Sequence, residues 1–168
     1  ATAVLGVLVR SPSRMRRLGL TRAPLGESHI GLASHLLAAS TCALTELDLT
    51  CALTQDRGAI RLARVLETNR SLTRLPLAHN GVAAAGGLAL GQMLRSNGTL
   101  TSLTLCGNLL SDAPTVAMAA AVATNAALTE LDLARNSFSA IGAQALRQAL
   151  HTNHALISLG ELASLPIA

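Results

Sequence analysis

The phrase Leu44-Thr-Glu-Leu47-Asp-Leu49 returns as Leu72-Thr-Arg-Leu75-Pro-Leu77, Leu100-Thr-Ser-Leu103-Thr-Leu105 and Leu128-Thr-Glu-Leu131-Asp-Leu133, each 28 residues after the last, and Leu156 opens a further copy. A register held over so many periods marks one supersecondary unit stacked on copies of itself. A unit of this size cannot bury its apolar side alone, so it must lean on its neighbours and the chain must extend as a solenoid.

A second set of positions keeps the same register. Asn80, Asn108 and Asn136 follow the last strand Leu by three, and Thr54, Val82, Leu110 and Phe138 stand two positions further on. Gly58, Gly86 and Gly142 come next, with Pro114 in the remaining copy. Leu62, Leu90, Met118 and Leu146 then lead by four to Leu66, Leu94, Val122 and Leu150, and Asn69, Asn97, Asn125 and Asn153 close the unit. An apolar period of two has become a period near four, which predicts a strand, a loop and an amphipathic helix in every copy. The alternate Leu residues point inward, and the Leu three positions earlier packs the start of the strand. The Asn after the strand is expected to hydrogen-bond a buried turn, and the Asn after the helix to take the left-handed conformation that ends it. The glycines allow close approach at the helix start, and Pro114 suits a first helical turn.

Composition agrees with a regular core of small repeated sites: half the residues are apolar, yet Phe138 is the one aromatic. The formal charge is +4, and all thirteen basic residues are Arg. Absence of both Lys and Tyr points to a GC-rich genome, while absence of Lys alone would also suit a protein avoiding ubiquitin attachment in a foreign eukaryotic cell. Cys42, Cys51 and Cys106 form no CxxC pair, so neither a disulfide framework nor a zinc knuckle is expected, and half-buried free thiols in a reducing compartment fit better. The apolar run from Ala3 to Val9 is too short to span a bilayer and has no basic segment before it.

The units read as 15–43, with 29 residues, then 44–71, 72–99, 100–127 and 128–155. Residues 1–14 align with the helix of a copy whose strand is missing, and 156–168 with a partial terminal cap, so a single repeat domain cut from a longer protein is expected. The pattern LxxLxLxxN followed by a Gly- and Leu-spaced helix resembles the ribonuclease-inhibitor-like leucine-rich repeats. The resemblance implies an α/β solenoid, a horseshoe arc with a parallel β-sheet on the concave side and α-helices on the convex side. It also implies a protein-interaction module, as the targeting domain of a bacterial effector or an intracellular receptor. Such a module would work in the cytoplasm, the host's in the case of an effector. The alternative is a structural, self-associating scaffold. Ala23 and Ala52 stand where the motif has Asn, so their turns need another hydrogen-bond source.

Residues between and just after the core Leu are expected on the concave face: Arg17, Glu46, Asp48, Arg74, His79, Glu130, Asp132 and Arg135 are the candidate partner-binding set. Adjacent parallel strands lie about 4.8 Å apart, which predicts a Glu46–Arg74 pair. Carboxylates interrupt every basic row and stacking rings are missing, which argues against nucleic acid. Arg57, Arg61, Arg64, Arg70 and Arg95 fall on the convex side, as a solvated helix face or, more sharply, a site for an acidic partner. His151 and His154 suit a helix C-terminus better than a metal site. The chain has no GxxxxGK, HExxH or GxSxG motif, and two carboxylates on an open strand make no catalytic pocket, so neither an enzyme, a cofactor nor a small-molecule substrate is expected.

Overall fold

The computed structural model describes residues 15–22, 27–39 and 42–160. Strands β1 (Arg17–Gly19), β2 (Glu46–Asp48), β3 (Arg74–Pro76), β4 (Ser102–Thr104) and β5 (Glu130–Asp132) alternate with helices α1 (Glu27–Ala38), α2 (Gln55–Leu66), α3 (Ala84–Ser96), α4 (Asp112–Val122) and α5 (Ala140–Thr152). The strands form one parallel sheet in sequence order. Leu18 faces Leu47, Leu75 faces Leu103 and Leu103 faces Leu131, while a bridge from Glu130 to Ser158 continues the ladder. Strands stack about 4.8 Å apart and helices about 10 Å apart, so the stack must bend with the sheet inside.

Sequence spacing places the core. Leu47, Leu75, Leu103 and Leu131 are buried in one column, and Leu49, Leu77, Leu105 and Leu133 fill the next. Leu62, Leu90 and Met118 meet them from the helices. Leu150 is the exception, 37 % exposed although Leu66, Leu94 and Val122 at the same position are buried. Among the described residues no further helix packs against the far side of α5. The helix expected over 1–14, the Ala23 turn and residues 161–168 of the expected cap lie outside the described residues.

Polar ladders tie the units together. Asn108 Oδ1 accepts from the backbone N–H groups of Asn80 and Val82 in the preceding unit, and its Nδ2 donates to Leu77 O and Leu105 O. Asn80 serves Ala52 N and Thr54 N in the same way, which supplies the turn where Ala52 replaces Asn. The Asn residues after the helices do something other than the expected left-handed cap. Asn97 and Asn153 are extended, with φ of −80° and −87°. They act through their side chains: Asn97 Nδ2 donates to Leu66 O at the end of the preceding helix, and Oδ1 accepts from Thr99 N and Leu100 N. A third ladder is of threonines, with the hydroxyls of Thr73, Thr101 and Thr129 donating to the carbonyls of Thr45, Thr73 and Thr101, each at 3.0 Å.

Two aspartates cap helices that are not their own. Asp56 in α2 accepts from Ala83 N at 2.7 Å and Gly86 N at 2.9 Å, at the start of α3. Asp112 in α4 accepts from Ser139 N, Ser139 Oγ and Gly142 N at the start of α5. A carboxylate here meets orphan amides and the positive end of the helix dipole. The glycines make room for the caps: a Cβ at Gly86 would fall 2.7 Å from Asp56 Oδ1, and one at Gly142 would crowd Asp112 Oδ1 at 3.1 Å.

The bonds from Ser139 hold the Asp112 carboxyl below the ordinary value of 3.8. A folded pKa below the unfolded one contributes stability above the unfolded value, and that stability is lost as pH falls through the folded pKa. Asp112→Asn is therefore expected to melt below wild type at neutral pH, with the gap closing as pH drops from about 5 to below about 3. Thermal melts across that range check it.

Thr54 breaks its column. It is buried at the position of Val82, Leu110 and Phe138, and its hydroxyl has no hydrogen-bond partner. Replacing the hydroxyl by a methyl of similar shape removes an unmet desolvation cost, so Thr54→Val is expected to raise stability by about 1 kcal/mol in urea denaturation.

Candidate interaction surface

Side chains alternate along each strand, so those flanking the buried Leu stand on the inner face of the sheet in columns set by the parallel register. The first column is Arg17, Glu46, Arg74, Ser102 and Glu130, and the second is Gly19, Asp48, Pro76, Thr104 and Asp132. The expected Glu46–Arg74 pair does not form, although the two face each other across the ladder. Instead Glu46 pairs with Arg17 at 3.6 Å, and Arg74 reaches over β4 to Glu130 at 3.4 Å. The reason is Ser102: its short, buried side chain leaves the guanidinium a clear path across a strand.

Both pairs are open to water, with Arg74 56 % and Glu130 51 % exposed. Exposed pairs of this kind contribute about 0 to 1 kcal/mol, so they set the pattern of the face more than they hold the fold.

Asp48 and Asp132 have a second task, because one oxygen of each accepts from a backbone N–H two residues on, at Thr50 and Ala134. These bonds fix the turn by which the chain leaves the strand. His79 and Arg135 lie beyond that turn, on the rim of the sheet. They are exposed and left-handed, with φ of 55° each, and Arg22, Cys51 and Gly107 repeat the conformation in the other units. The His79 ring occupies the space a Cβ at position 107 would need, which accounts for glycine there. The candidate set thus divides: Arg17, Glu46, Asp48, Arg74, Glu130 and Asp132 share the sheet face, whereas His79 and Arg135 share the rim.

Cys106 is half-buried beside Asp132 and Arg135. Burial, reinforced by the Asp132 carboxylate and opposed by Arg135, pushes its thiol pKa up, the opposite of what a nucleophile needs. Cys42 and Cys51 are also free thiols. Among the described residues no cluster of His, Cys, Asp or Glu could hold a metal ion. Pro76 and Thr104 occupy the middle of the face, between the two aspartates. Nothing in a proline or threonine taken singly signals a contact residue; only the column does.

The Leucine Rich repeat family model matches residues 68–91 and 124–146. No curated protein matches the sequence. Among solved structures, actin-binding site 2 of leiomodin-1 superposes with a TM-score of 0.65 at 21% identity, over 95% of this chain and 79% of that one. The C-terminal domain of tropomodulin from Caenorhabditis elegans superposes with a TM-score of 0.60 at 11% identity, over 95% and 81%. At such identities the likeness is one of fold. The 28-residue phrase, the strand-and-helix stack it builds and the two matched repeats make this chain a leucine-rich repeat solenoid.

Proposed function

We propose that the chain is a protein-interaction module that recognises its partner on the concave sheet face. The observation that carries this reading is the row of water-exposed charge pairs, Arg17–Glu46 and Arg74–Glu130, laid across a sheet face that no other part of the described chain covers. A curved, rigid face with alternating charge gives a partner both register and sign discrimination. The leiomodin-1 structure, an actin-binding site by its own description, supports a protein as the partner class. In this reading Asp48, Asp132, His79 and Arg135 add contacts at the second column and the rim. The module is non-enzymatic, of the ribonuclease-inhibitor-like type, and serves as the targeting part of an intracellular effector or receptor. No helix among the described residues is long and apolar enough to cross a membrane.

The test exchanges the members of each pair. Arg17→Glu with Glu46→Arg, combined with Arg74→Glu and Glu130→Arg, keeps both ion pairs while inverting the face. Melting is expected to stay within about 2 °C of wild type, because little stability rests on exposed pairs. Proteins captured by the wild-type chain are expected to fall at least about tenfold with the inverted face, which corresponds to about 1.4 kcal/mol. Undiminished capture removes the concave face from the function.

A further inference from the structure

The outer surface of the helices is not uniform, and its pattern is unlike a solvated face. On α2, Arg57, Arg61 and Arg64 are exposed. The residues 56 positions on, two units along at the same place on α4, are Ala113, Ala117 and Ala120. Between them, α3 presents Ala85 and Leu88, the latter 45 % exposed, and α4 adds Val116 at 39 %. From Ala113 to Val122 α4 has no charged residue, and its one polar side chain, Thr115, is buried and bonded to Ser111 O. A helix on the outside of a solenoid normally turns charged residues to water, so an outer face of Ala and Val is an unpartnered surface.

Charge supplies the second half of the pattern. Among the described residues no carboxylate lies within ion-pair distance of Arg61 or Arg64. The Asp56 carboxylate on the same helix is committed to the amides of Ala83 and Gly86. The convex surface is therefore positive over α2 and, apart from the exposed Gln92 and Arg95 toward the end of α3, apolar over α3 and α4. A shallow groove of about 270 Å³ between α4 and α5, lined by Val116, Ala120, Ala123 and Ala145 with Gln148 as its one polar side chain, lies at the apolar end.

We infer that this convex face is a second binding surface, distinct from the concave one, for a bipartite protein segment with carboxylates at one end and bulky apolar side chains at the other. The complementarity is directional. Carboxylates lie over Arg61 and Arg64, and the apolar end lies over Leu88 and Val116 and into the groove. Helices packed about 10 Å apart put the two ends about 20 Å from one another, a distance that about six extended residues span. A uniform polyanion such as nucleic acid satisfies the arginines but leaves the apolar half exposed, so a protein segment fits better.

The experiment uses fluorescence anisotropy with the full chain and a labelled synthetic peptide of about ten residues, four acidic, two of glycine and serine, four of leucine and valine. Two controls replace the acidic block by glutamine or the apolar block by serine, and single-stranded DNA and anionic phosphatidylserine vesicles serve as competing classes. Each peptide control is expected to bind at least about tenfold more weakly, about 1.4 kcal/mol. Arg61→Glu with Arg64→Glu removes the preference for the acidic block, and Val116→Glu removes the preference for the apolar block. Both variants change exposed positions, and circular dichroism verifies that they remain folded. The inverted concave face leaves peptide binding unchanged, so this inference and the concave reading fail separately. Absence of peptide binding, equal binding of the glutamine peptide, or DNA or vesicle binding as tight as the peptide's through the same arginines overturns it.

Discussion

Asn108→Ala is expected to lower the unfolding free energy by about 3 kcal/mol, among the largest losses any single substitution here can cause. The side chain is 3 % exposed and makes four bonds to backbone groups, accepting from Asn80 N and Val82 N and donating to Leu77 O and Leu105 O. Truncation strands Asn80 N, Val82 N and Leu77 O between two stacked units, at about 1 kcal/mol each, while Leu105 O keeps its bond from Asn136 Nδ2. Asn136 at the equivalent position accepts from one amide, Leu110 N, and donates to Leu105 O, Leu133 O and Ala134 O, but it is half-buried, so water can replace lost partners and the cost of Asn136→Ala is expected to be about half as large. Urea denaturation of the two variants measures the difference. Equal losses would mean that water reaches the buried turn as readily as the outer one.

Leu103→Ala is the second large loss, about 3 to 4 kcal/mol. Leu103 is fully buried in the middle of the sheet, flanked by Leu75 and Leu131 at the same register. Both neighbours belong to backbone ladders that cannot close over the gap, so the cavity persists. Leu18, in the same column on β1 and 8 % exposed, has a strand on one side alone among the described residues, and its truncation is expected to cost about 2 kcal/mol. In a stack held by nearest neighbours a central gap also weakens the link between halves. Hydrogen exchange in Leu103→Ala is therefore expected to quicken on both sides of β4, and quickening confined to one unit would argue against that coupling.

The leucines were legible because spacing alone decides which side of a strand or helix a residue occupies. Leu47, Leu75, Leu103 and Leu131 are where a period of two puts them, and Leu62, Leu90 and Met118 where a period near four puts them. Residues that act across units were less legible, because their partners lie about one period away and the residue type does not reveal them. Asp56 and Asp112 cap the helix of the next unit, and their signature is the glycine 30 residues on, which reads in isolation as a close-approach position. The threonine ladder hides in a residue common in any strand. Asn97 and Asn153 depart from the left-handed geometry that Asn commonly takes because here the side chain bonds two units at once.

For the candidate face, alternation identified the column of Arg17, Glu46, Arg74 and Glu130 but not who pairs with whom. Adjacent spacing favours Glu46–Arg74; the observed Arg74–Glu130 pair depends on the size of Ser102, which no rule about charges contains. His79 and Arg135 read as strand neighbours because the strands, only three residues long, end sooner than the alternation suggests.

Site-specific photo-crosslinking shows whether a protein partner lies on the concave sheet face. A photoreactive residue is placed at Thr104 in the middle of the sheet face or at Gly98, an exposed loop position whose added Cβ meets nothing within 4 Å. A partner captured by the wild-type chain is expected to crosslink from Thr104 and not from Gly98, and the inverted charge pairs are expected to abolish the crosslink. A partner that crosslinks from Gly98 while Thr104 stays silent contradicts that placement.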